Sequence, residues 1–83
     1  MRKIGDKCNL SELKIGQKAI VEKLKFENKE IRRHLLDMGV TRGVLVKVKK
    51  IAPMGEPIDL ELRGYELALR KSELMNIEVE VVG

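Results

Sequence analysis

Between Ile58 and Arg70 the chain reads IDLELRGYELALR, and no helix can make use of that pattern. Ile58, Leu60 and Leu62 alternate with Asp59, Glu61 and Arg63; Tyr65, Leu67 and Leu69 then alternate with Glu66, Ala68 and Arg70. A period of two is the signature of a half-buried strand, and Arg63-Gly64 sits where a two-residue turn would join two of them. With that turn, Leu62 faces Tyr65, Leu60 faces Leu67 and Ile58 faces Leu69, so all six apolar side chains share one face. A slip of one residue would turn the whole set to water, which specifies the register although Arg-Gly is a weaker turn signal than Asn-Gly.

A sheet with one oily face needs more strands, and the sequence supplies them. Val44, Val46 and Val48 alternate with Leu45, Lys47 and Lys49, while Ile77, Val79 and Val81 alternate with Glu78 and Glu80. Gln17 to Lys25 is also β-prone, but its alternation breaks between Val21 and Leu24, where a bulge or a change of face is expected. Asn28 to Met38 reads as the one substantial helix. Asn28 suits the N-cap, Glu30 the first turn, Ile31, Leu35 and Met38 one apolar face, and Gly39 the C-terminal stop. Ser11 to Lys14 and Ser72 to Met75 read as short turns opened by capping serines.

The length of 83 residues supports one domain, residues 1–83, burying roughly 60 to 65% of its unfolded surface. About five short strands, each with one apolar face, are covered most simply by curling into a small barrel. The expected fold is mainly β, an SH3-like barrel with one inserted helix, preceded by a loose segment over residues 1–9. The sequence contains no apolar run of the ~18 residues a membrane helix needs, and MRKIGDKCNL lacks the apolar centre of a secretory signal, so a soluble cytoplasmic protein is expected.

Several chemistries are disfavoured. Cys8 is the only cysteine and His34 the only histidine, so neither an intramolecular disulfide nor a Cys/His metal cluster can be built; only adventitious metal contact through Cys8, His34 or surface carboxylates stays open. No metal, cofactor or catalytic residue is expected. His34 lies at the edge of the helical stripe with no nucleophile or orienting carboxylate placed beside it by the sequence. Pro53, Gly55 and Pro57 punctuate APMGEP between two strands, without the glycine run, following helix and lysine of a phosphate loop. They read first as a rigid connection and second as a contact loop with Met54 at its tip.

The net charge of +4 divides unevenly. Met1 to Arg33 holds ten Lys/Arg and five Asp/Glu, whereas His34 to Gly83 holds seven and eight. Lys23, Lys25, Lys29, Arg32, Arg33, Lys47, Lys49 and Lys50 could form a basic face that meets phosphates, which keeps a weak nucleic-acid binder as an alternative. Phe26 and Tyr65 are the only aromatics, too few for the stacking by which single strands are held. The charge difference between the halves also permits weak self-association.

The string LLDMGVTRGVLVKVKKIAPMGEPIDLELRGYELALRKSE, Leu35 to Glu73, resembles the FeoA family. The shared motifs are a Leu-Leu-x-x-Gly helix end, a glycine shortly after it, an Ala-Pro-x-Gly-x-Pro connection and a hydrophobic-Leu-Arg ending. LSELKIGQKAIV, Leu10 to Val21, resembles the opening segment of that family, and the likeness runs from about Leu10 to Val81; Leu74 departs from the alanine of many relatives. The resemblance implies an SH3-like barrel and a non-enzymatic accessory role in ferrous iron uptake, with the membrane transporter FeoB, which carries a cytoplasmic GTPase domain, as partner. Arg32, Arg33, Met38, Met54, Glu56 and Pro57 are the expected docking residues. An alternative reading is a stand-alone regulatory domain related to the barrel of iron-dependent repressors, and another is an activator placing Arg32, Arg33 or Arg42 in a GTPase site.

Overall fold

The structure, a computed structural model, describes residues 3–83. The elements follow in the order β1 (Lys7–Asn9), a 3-10 turn (Leu10–Glu12), β2 (Lys18–Leu24), α1 (Lys29–Asp37), β3 (Leu45–Ile51), β4 (Ile58–Leu62), β5 (Tyr65–Leu69), α2 (Lys71–Leu74) and β6 (Ile77–Val81). The strands form one antiparallel sheet in the order β1-β6-β2-β3-β4-β5, which is the SH3-like architecture expected, with a sixth strand added.

That sixth strand corrects one expectation. Lys7–Asn9 is not loose: it pairs with β6, Lys7 opposite Glu80 and Asn9 opposite Glu78. Gly5 N–H donates to the Val81 carbonyl at 2.7 Å and Val81 N–H to the Asp6 carbonyl at 2.9 Å. The edge of β6 would otherwise present unpaired backbone groups, and the pairing is anchored by Leu10, buried directly after it. The portion of the loose segment expected at Met1 and Arg2 lies outside the described residues.

The β4-β5 hairpin has the register its alternation dictates: Leu62 opposite Tyr65, Leu60 opposite Leu67, Ile58 opposite Leu69. Arg63 and Gly64 both take positive φ, 50° and 84°, as a tight turn with right-handed strand twist demands. Tyr65, however, is not a core residue. It stays 41% exposed although Leu62 opposite it is buried, its phenol lying over Gly39 at the end of α1.

Two bulges bend the sheet, one between Val21 and Lys23 where β2 meets β6, the other between Val48 and Lys50 where β3 meets β4. Each adds local twist, which lets a short-stranded sheet curl round its own apolar face. The core so enclosed includes Ala19, Val21, Val46, Val48, Leu60, Leu62, Ile77, Val79 and Val81.

Leu35 of α1, fully buried, plugs the core alongside Val40. Asn28 Oδ1 accepts from Glu30 and Ile31 N–H at 2.9 and 3.3 Å, closing the N-terminus. At the other end, Gly39 N–H donates to the Leu36 carbonyl and Val40 N–H to that of Leu35, a Schellman closure with Gly39 at φ 95°. Ile31 departs from expectation: it is 40% exposed, since the helix rests on the barrel through Leu35 and lifts its first turn clear. The capping serines are also corrected. Asn9, not Ser11, caps the 3-10 turn, and α2 begins at Lys71 with the Glu73 carboxylate accepting from Arg70 N–H at 2.9 Å.

Candidate functional site

The bulge in β2 does more than bend the sheet. Val21 opposes Val79 and Lys23 opposes Glu78, so Glu22 is the extra residue, and Glu22 and Lys23 both line the same outer cavity. This cavity, about 750 Å³, lies between that strand surface and α1. Arg32 and Leu36, one helical turn apart, border it from α1. Arg42 enters from the loop after the helix, held there because Gly43 N–H donates to the Val21 carbonyl at 2.7 Å and Val21 N–H to the Val44 carbonyl at 3.0 Å. Lys7, Leu24, Glu78 and Val79 complete the lining.

Both carboxylates in the cavity are already matched. Lys7 Nζ lies 3.3 Å from Glu22 and Lys25 Nζ 3.1 Å from Glu78. Among the described residues Lys23, Arg32 and Arg42 have no carboxylate partner, so three unpaired cations border a cavity whose two carboxylates are each held by another lysine. Among the described residues the lining holds no Ser, Cys or His to act as nucleophile or base. What it can do is attract negative charge while offering Leu24 and Leu36 as a half-buried apolar strip.

The expected docking residues do not gather in one place. Arg32 borders the cavity; Arg33 is exposed on α1 outside its lining; Met38, the C-cap, is half-buried against the core. Met54 is 91% exposed at the tip of the β3-β4 connection. That connection is braced internally: Ala52 N–H donates to the Pro57 carbonyl at 3.1 Å and Gly55 N–H to the Ala52 carbonyl at 2.8 Å. Glu56 is spent on structure, its carboxylate accepting from Lys71 N–H at 2.8 Å and thereby tying the connection to the start of α2. The same α2 shares a groove with the first turn of α1, where exposed Ile31 meets Phe26, Ser72 and Asn76. Sequence reasoning put Lys23 in a basic face and named Arg42 only as a GTPase activator; the one signal for their meeting was the broken alternation after Val21.

Among the described residues no three His, Cys, Asp or Glu side chains come together as metal ligands, and no helix is long and apolar enough to cross a membrane. Cys8 is half-buried in β1 and His34 is exposed on α1.

Comparison with known proteins bears on family and fold. Residues 8–81 match the family described as the FeoA domain. A Fe(2+) transport protein A/Fe(2+) transporter FeoB fusion protein from Porphyromonas gingivalis is 31% identical over 74 residues, 88% of this chain but 8% of the fusion's length. The NMR structure of a FeoA-like protein from Clostridium acetobutylicum is 44% identical, covers 100% of this chain and 92% of its own, and superposes with a TM-score of 0.84. FeoA of Stenotrophomonas maltophilia, solved with zinc and described as a prokaryotic SH3 domain protein, is 32% identical, with coverage of 87% and 88% and a TM-score of 0.76. T. acidophilum IdeR and manganese-dependent transcriptional repressors share the architecture at 16% identity or less, a likeness of fold alone. On the family match and the relatives above 30% identity, the chain belongs to the FeoA family, with the SH3-like fold of its members.

Proposed function

We propose that this chain is a non-enzymatic accessory protein of ferrous iron uptake that docks, on the cytoplasmic side, on a FeoB-type membrane transporter. One observation carries the reading: in a relative, FeoA and FeoB are parts of a single polypeptide. A covalent link holds two modules at high effective concentration, and unlinked counterparts that work together need a binding surface to replace it. The exposed candidates for that surface are Arg32 and Arg33 on α1 and Met54 on the braced connection, with Glu56 and Pro57 holding the connection and Met38 seating the helix.

The test is co-purification of this chain with a full-length FeoB-type transporter in detergent, repeated with Arg33→Glu and Met54→Asp. Retention of the wild type, lost in either variant, supports both the partner and the surface. Retention unchanged in both variants would move the interface elsewhere and leave the partner standing. Absence of retention for the wild type, even at low salt, would overturn the docking reading.

A further inference from the structure

The cavity beside α1 gathers three unmatched cations from three parts of the chain: Lys23 from the bulge, Arg32 from the helix and Arg42 from the loop that follows it. Like charges around one cavity repel each other, an arrangement that an incoming anion relieves. The apolar strip of Leu24 and Leu36 runs through the same cavity. We propose that this cavity is the docking site for an acidic segment of a protein partner, two or three Asp or Glu side chains flanking one apolar residue. The apolar residue lies on Leu24 and Leu36, and the carboxylates meet Arg32, Arg42 and Lys23, the two arginines with paired N–H donors in the fork geometry that carboxylates accept.

A phosphate-bearing ligand fits less well. Glu22 and Glu78 stand in the cavity wall, each held by one lysine, and a compact dianion placed among the cations would face both. Carboxylates spaced along a peptide engage the cations separately and leave room for those pairs. Two amides of the α1 first turn, those of Glu30 and Ile31, which would otherwise serve as a backbone cradle for phosphate, are already bonded to Asn28 Oδ1.

This inference deepens the docking reading and rests on it only for the identity of the partner, so the site can be tested alone. The probe is a fluorescent twelve-residue peptide of alternating Glu-Asp pairs and Leu, titrated by anisotropy against the full chain. The variants are Arg32→Glu/Arg42→Glu together and Lys50→Glu, a basic exposed position outside the cavity, with thermal melts to show that each folds. The expected result is saturable binding that weakens at least tenfold in the double variant, is little changed by Lys50→Glu, and weakens when the leucines are replaced by Ser. Equal binding to wild type and double variant would overturn the site, as would tighter, equally Arg-dependent binding of a single-stranded DNA oligomer, which would reassign the cavity to phosphates. The same double variant is then passed over the transporter. If peptide binding depends on the arginines but transporter retention does not, the site stands and the transporter docks elsewhere. If the transporter is retained while the peptide ignores the arginines, docking stands and the site falls.

Discussion

Gly39 is the residue where backbone and packing constraints coincide. It takes φ 95° to end α1, and a Cβ there would overlap the Tyr65 hydroxyl. Gly55 has nearly the same dihedral, 91°, but open space around it. Gly55→Ala should therefore carry only the left-handed backbone penalty, about 1 to 2 kcal/mol, whereas Gly39→Ala adds displacement of the half-exposed phenol and should cost about 0.5 to 1.5 kcal/mol more. Urea unfolding of both variants, with Gly39→Ala repeated in a Tyr65→Phe background, checks this: removing the hydroxyl should return part of the loss. Equal losses at the two glycines would show that Tyr65 does not constrain the helix end. Glu56 makes a related point, since a side chain expected to meet a partner is already committed to the Lys71 amide.

At the scale of elements, the β4-β5 hairpin combines a strong core face with a weak outer one. Leu60 is fully buried opposite Leu67, and Leu60→Ala should destabilise by about 2 to 5 kcal/mol in the same unfolding assay. On the outer face Glu61 stands directly opposite Glu66, with Lys47 across from it on β3 and Lys49 at 3.9 Å offering partial relief. Glu66→Lys should stabilise by about 0.2 to 1 kcal/mol at low ionic strength and lose most of that gain in 1 M salt. The register of this hairpin was legible because strand periodicity and turn position have one mutual solution, although the exposure of Tyr65 was not. Helix α1 was legible at its ends, where Asn28 and Gly39 act locally, but not at Ile31. Periodicity tells which residues share a face, and the depth to which that face sinks is set by the barrel beneath it.

For the whole molecule, a docking surface built on unmatched cations predicts that transporter binding weakens steadily as salt rises from roughly 0.05 to 0.5 M, with screening acting on exposed charge first. Salt-independent retention in the co-purification assay would point instead to an interface dominated by the apolar Met54 tip. The fold class, the position of most strands and the β4-β5 pairing were readable beforehand because they depend on side-chain alternation, capping and turns within a few residues, whereas the pairing of β6 with β2 joins distant parts of the chain. β1 was not, since three residues carry no periodic signal and gain their order from the free edge of β6. The amino-acid sequence alone determined which side chains point together along each strand, because a pleated backbone alternates its faces whatever it packs against. Only the tertiary structure decided that Lys23, Arg32 and Arg42 border one cavity, because their meeting depends on a bulge, a helix seated through Leu35 and a loop pinned to Val21, three placements that long-range backbone pairing and burial set jointly.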